Sequence, residues 1–110
     1  MSNEINVIAL KSFRKATKKL FSEVDLEALT SFLIQFPDKG DVISGTGGLR
    51  KLRWALAGKG KRGGSRVIYY YHKSEYEILL LTAYAKNEKE DLSAKDKKLL
   101  SEVVAQIIKG

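Results

Sequence analysis

Three strand-like runs follow one another between Leu49 and Tyr84, and a chain built this way has to form a sheet and cover it. Leu49 to Ala57 alternates. Leu52, Trp54 and Leu56 point one way, while Lys51, Arg53 and Ala55 point the other. Arg66 to His72 is rich in β-branched and aromatic residues. If its Arg66 shares a face with Lys51 and Arg53, then Val67, Tyr69 and Tyr71 lie on the helix-covered side. Glu77 to Tyr84 (EILLLTAY) is nearly all apolar, which suits a central strand, and residues 73–76 make the turn before it.

The flanking segments supply the cover. Ile5 to Leu10 (INVIAL) is a short apolar run that reads as a first strand buried on both faces. In KSFRKATKKLF, which follows, Leu10, Phe13, Thr17, Leu20 and Phe21 fall on one helical face, and its lysines fill a solvated one. Ser22 and Asp25 form a capping-box pattern, so a second helix starts there, with Leu26, Leu29, Leu33 and Phe36 at three- and four-residue steps. Pro37 stops it, because the residue before a proline is pushed out of the helical region. Ser93 with Asp96 repeats the cap, and the last helix carries Leu99, Leu100, Val103, Val104, Ile107 and Ile108 on a wide apolar face. The order β-α-α-β-β-β-α predicts an α+β fold: a helical hairpin and a C-terminal helix on a small, mostly antiparallel sheet, with the helices on one face. At 110 residues the chain makes one domain, 1–110, with one modest core.

Charge narrows the function. From Val42 to Ser74 there are eight Lys or Arg and no Asp or Glu. The whole chain has 20 basic and 13 acidic residues, so outside this window the balance is 12 against 13. All of the excess positive charge sits on two strands and the glycine-rich loop between them, which points to a polyanionic partner. There is no cysteine, so disulfide and thiolate chemistry are excluded. A single histidine, His72, argues against a protein zinc site, and neither metal nor cofactor is expected. No apolar run approaches membrane-spanning length and no signal peptide is visible, so the expected location is cytoplasmic, away from any membrane.

GKGKRG (Gly58 to Gly63) formally matches G-x-G-x-x-G, but that motif must open a helix to hold a pyrophosphate, and here it leads into a strand. Lys51, Arg53 and Arg66 are the sharper set. Three cations crowded on one sheet face repel one another, and a phosphate between them relieves that cost through charge-assisted bonds, with arginine able to bind bidentately. The bland alternative is a solvated polar face. Tyr70 is the one ring of Tyr69-Tyr70-Tyr71 expected on the basic face, where a base could stack on it. Histidine is the side-chain type suited to acid or base work near neutral pH, so His72 is a candidate, but a lone histidine at a strand end is more often a surface residue.

GTGGLRKLRWALAGKGKRGGSRVIYYY followed by ILLLTAYAKNEKEDLS resembles the RelE/HigB superfamily of type II toxin–antitoxin toxins, most closely its HigB-like branch. The resemblance implies helices over a curved antiparallel sheet, a ribosome-dependent mRNA endonuclease needing no metal, and neutralisation by a cognate helix-turn-helix antitoxin. It places the catalytic residues at Lys51, Arg53, Arg66 and Lys86. Arg50, Lys59, Lys61, Arg62, Tyr70 and Asn87 are expected to contact mRNA and ribosomal RNA. Asn87 stands where relatives have a further arginine, and Ser93 where some have a catalytic tyrosine, so the general acid is left open. Arginine keeps its proton. The expected base is therefore Lys51, crowded by Arg50, Arg53 and Arg66, with the two arginines of the set clamping the phosphate and Lys86 auxiliary. Two rivals stand beside this reading: a ParE-like gyrase inhibitor of the same fold, and a non-catalytic RNA-binding module.

Overall fold

The computed structural model describes residues 4–57, 64–89 and 91–110. Five strands form one sheet. The middle of the sheet is an antiparallel meander of β3 (Leu49–Ala55), β4 (Gly64–His72) and β5 (Glu77–Ala85). These are the three runs read from the sequence, joined between β4 and β5 by a single 3-10 turn at Lys73–Glu75. β1 (Asn6–Ala9) lies parallel to β5 at one edge. β2 (Asp41–Val42), a two-residue strand absent from the sequence reading, pairs with Lys51 and Arg50 at the other.

β1 departs from expectation. Val7 and Ala9 are half-buried, but Asn6 and Ile8 are exposed, because an edge strand here is covered on one face only.

The helices also divide differently. α1 (Lys11–Thr17) and α2 (Glu23–Gln35) cover one face, where Phe13, Phe21, Leu29 and Leu33 meet Leu52, Val67, Tyr69, Ile78 and Leu80. α3 (Ala94–Lys109) covers the other, where Leu100 and Val104 meet Leu49, Ile68, Leu79, Leu81 and Tyr84. The predicted single helical layer is therefore two. The reason lies in β5, which is buried on both sides and needs apolar cover on each. Only part of the α3 apolar face is used: Leu99, Val103, Ile107 and Ile108 remain exposed.

Local chemistry fixes these elements. The box at the start of α2 is complete: the Asp25 backbone N–H donates to Ser22 Oγ (3.1 Å), and the Ser22 N–H donates to Asp25 Oδ2 (2.9 Å). The second Asp25 oxygen accepts from the Ala57 N–H at 2.8 Å, which ties the end of β3 to the start of the helix. At the far end of α2, the buried Tyr69 hydroxyl donates to the Pro37 carbonyl and accepts from the Gly40 N–H, both at 2.8 Å. A Cβ at Gly40 would lie 2.7 Å from the Tyr69 ring, so this close approach requires glycine.

A register shift between Ile68 and Tyr69 breaks the β4–β5 ladder. Ile68 pairs with Thr82 and Tyr69 with Leu80, so Leu81 has no cross-strand partner. The Leu81 carbonyl is taken instead by the Ser12 hydroxyl of α1. A bulge of this kind exchanges the faces of every residue beyond it. Ile78 and Leu80 sit with the α1/α2 core, and strict alternation would put Tyr84 with them, yet Tyr84 joins the α3 side.

Candidate functional site

Strand register brings the basic set together. Lys51 and Arg53 are two residues apart on β3 and so share the face opposite Leu52 and Trp54. Arg66 on β4 is the direct cross-strand partner of Arg53, and Tyr84 on β5 is the partner of Arg66. One row thus runs Arg53, Arg66, Tyr84 across three strands, with Lys51 a step along. Lys51, Arg53 and Arg66 line a cleft of about 680 Å³ together with Phe32, Lys39, Asp41 and Leu52.

Like charges directly opposite each other on a sheet are destabilising. Among the described residues no carboxylate pairs with Arg53 or Arg66; the Arg66 guanidinium reaches only the Ser65 carbonyl, at 3.3 Å. Lys51 is different. Its ammonium lies 3.6 Å from Asp91, whose other oxygen is 3.2 Å from Lys97 at the start of α3. Asp91 also accepts from the Leu92 N–H at 2.8 Å. Partial burial pushes the Asp91 carboxyl up, but the Leu92 N–H, the Lys97 hydrogen bond and the charges of Lys51 and Lys97 outweigh it and hold the group below its usual range.

The remaining predicted residues are distributed as follows. Arg50 does not join the set. Alternation turns it to the opposite face, where its guanidinium donates to the carbonyls of Asp38 (3.0 Å) and Gly40 (2.7 Å) and braces the loop before β2. The expected crowding of Lys51 by Arg50 is corrected accordingly. Tyr70 is on the basic side, as expected, but half-buried against the α3 core. Lys86 and Asn87 are exposed just past β5, and the Lys86 N–H donates to the Gly64 carbonyl, which keeps this turn at the Arg53–Arg66 end of the sheet. His72 pairs in register with Glu77, its ring 4.0 Å from that carboxylate, six residues and about 20 Å along β4 from Arg66. Ser93 is occupied in capping α3. Lys59, Lys61 and Arg62 lie outside the described residues.

Two residues at the site were not read from the sequence. Asp91 sits in a polar bend with no pattern to single it out. Tyr84 reads as core, and it is core, only 3% exposed. Its hydroxyl nevertheless has no hydrogen-bond partner among the described residues, and Lys89 lies over its ring, 5.0 Å from the centroid. Burial raises the phenol above its ordinary value; Asp91 adds to the rise and Arg66 opposes it.

A family model described as the RelE toxin of the RelE/RelB toxin–antitoxin system matches residues 6–109. Among solved structures, a double arginine-to-alanine mutant of the E. coli toxin RelE in the free state superposes with a TM-score of 0.53 at 13% identity, covering 80% of this chain and 90% of that one. At that identity the likeness speaks to the fold.

Proposed function

The chain belongs to the RelE toxin family, and from that premise we propose that it is a ribosome-dependent mRNA endonuclease of a type II toxin–antitoxin module, of the HigB-like branch. The observation that carries this reading is the Arg53–Arg66 cross-strand pair beside Lys51, lining one cleft with no carboxylate on either arginine among the described residues. A scissile phosphate seated there relieves the repulsion and meets two bidentate donors.

The reaction suits this inventory. The 2′ oxygen attacks the adjacent phosphorus, the bond to the 5′ oxygen breaks, and the products are a 2′,3′-cyclic phosphate and a 5′ hydroxyl. Lys51, once released from Asp91 and having given its ammonium proton to solvent, accepts the 2′ proton as the neutral amine. Arg53 and Arg66 stabilise the dianionic phosphorane, and Lys86, at the edge of the same end of the sheet, assists. A site so poor in ordinary acid–base groups depends on the ribosomal A site to place the mRNA, which supplies much of the rate as prepaid orientation. A helix-turn-helix antitoxin is the expected neutralising partner, and the cytoplasm the expected place of action. No helix among the described residues is long and apolar enough to cross a membrane.

Primer extension of mRNA on translating ribosomes tests the reading. Wild-type protein should leave discrete cuts, and Lys51→Ala or Arg66→Ala should slow them about 10²-fold or more while ribosome binding persists. If both variants still arrest growth while DNA breaks accumulate, the gyrase-inhibitor reading replaces this one. A protein that binds RNA with a log–log salt slope of about −0.7 per phosphate and never cuts is a binding module.

A further inference from the structure

Buried polar groups are almost always hydrogen-bonded, and each exception calls for a reason. Tyr84 is such an exception: a phenol carried by a central strand, 3% exposed, its hydroxyl without a partner among the described residues. It is no ordinary core tyrosine. The bulge at Leu81 turns it out of the α1/α2 core, and register sets it beside Arg66 in the row that ends at Arg53. Tyr69 shows what the same residue type does when it is structural here, since its hydroxyl makes two hydrogen bonds that close a loop. The Tyr84 hydroxyl is a donor with no acceptor among the described residues.

We propose that Tyr84 is the general acid of the cleavage, giving its phenolic proton to the 5′ oxygen as that oxygen leaves the phosphorus. The assignment rests on the endonuclease reading above, and it fills the role left open by Asn87 and Ser93. Burial keeps the phenol protonated, so it serves as donor and not as base. In the RNA-free protein Lys51 is paired with Asp91, and Asp91 and Arg66 both act electrostatically on the hydroxyl. A phosphate that displaces the Asp91 carboxylate from Lys51 opens this corner of the sheet, and the transfer requires that opening to uncover the buried Tyr84 hydroxyl. The protons then balance. Lys51, as the neutral amine after shedding its proton to solvent, takes one from the 2′ hydroxyl, Tyr84 gives one to the 5′ oxygen, and the resulting lysine ammonium returns a proton to the phenolate. Between those transfers the phenolate is held by Arg66 and by Lys89 above its ring.

The test is single-turnover cleavage on programmed ribosomes by wild type, Tyr84→Phe and Lys51→Ala, with two mRNAs. One is ordinary RNA; the other carries sulfur in place of the bridging 5′ oxygen at the cut site, a leaving group that departs without a proton. Tyr84→Phe deletes a buried hydroxyl without a partner among the described residues, so its melting temperature should equal or exceed that of wild type. It should cut ordinary mRNA about 10²-fold more slowly and cut the sulfur mRNA at the wild-type rate. Equal rates for Tyr84→Phe and wild type on ordinary mRNA would overturn the assignment, with cleavage itself still standing. A defect that persists undiminished on the sulfur mRNA would also overturn it, since the hydroxyl would then act elsewhere than on the leaving group. A wild type that cuts neither mRNA removes the nuclease reading and this assignment together.

Discussion

Replacing Asp91 with Asn should make the protein less stable and more active at once. The carboxylate bridges Lys51 at 3.6 Å and Lys97 at 3.2 Å, with side chains 32%, 30% and 46% exposed for Lys51, Lys97 and Asp91. That exposure puts both pairs in the weak class, about 0.2–1 kcal/mol each. Asn keeps an acceptor for the Leu92 N–H but loses both pairs, so stability should fall by about 0.4–2 kcal/mol. The sign with pH is determined. The folded-state carboxyl lies below its ordinary 3.8, so its contribution is present above that value and lost as pH falls through the folded one. Wild type and Asp91→Asn should therefore differ in urea melts at pH 7 and converge as pH falls through the lowered folded-state value. On the proposed mechanism the same pair acts the other way in cleavage, because Lys51 would have to leave Asp91 before taking a proton. Removing about 0.2–1 kcal/mol of restraint should raise the single-turnover rate on ribosomes by about 1.4- to 5-fold. A rate at least tenfold below wild type would refute the reasoning, since Asp91 would then be contributing to the chemistry.

Tyr69→Phe should be costly where Tyr84→Phe is not. It strands the Gly40 N–H and the Pro37 carbonyl, both bonded at 2.8 Å, for about 2–4 kcal/mol in urea denaturation, with exposed Tyr76→Phe as the neutral control. An alkaline titration of the phenols by ultraviolet absorbance should be biphasic: Tyr69 and Tyr84 ionise late because burial disfavours their phenolates, and Tyr84→Phe should shrink the late phase. Both folded-state values are raised, so these two groups favour the folded state up to about pH 10, and that stability is lost as pH rises through them.

Much of the framework was legible because it is written in local chemistry. The Ser22–Asp25 box, the stop before Pro37, the Ser93 cap and the alternation of β3 each depend on residues within a turn or two of one another. So does the sharing of one face by Lys51 and Arg53. Arg66 could be expected beside them only on the assumption that β4 pairs with β3 in a particular register, and Arg53 opposite Arg66 is that register. β2 has two exposed residues and no periodicity, so nothing local announces it. The two-sided covering of the sheet was misread because an apolar run such as EILLLTAY does not say which helix covers which side.

Asp91 and Tyr84 escaped notice for a different reason, and it bears on how the site works. Neither owes its place to sequence neighbours. Asp91 reaches Lys51 only because α3 crosses the face that α1 and α2 leave open, and Tyr84 reaches the basic row only because one bulged residue reverses the parity of β5. With strict alternation, Tyr84 would lie among Leu80 and Val67, and the row would hold arginines alone. Arginines can grip a phosphate but cannot trade protons with it. Anchoring of the Leu81 carbonyl by Ser12 is therefore more than a repair to a broken ladder: it holds the register that sets a phenol next to Arg66.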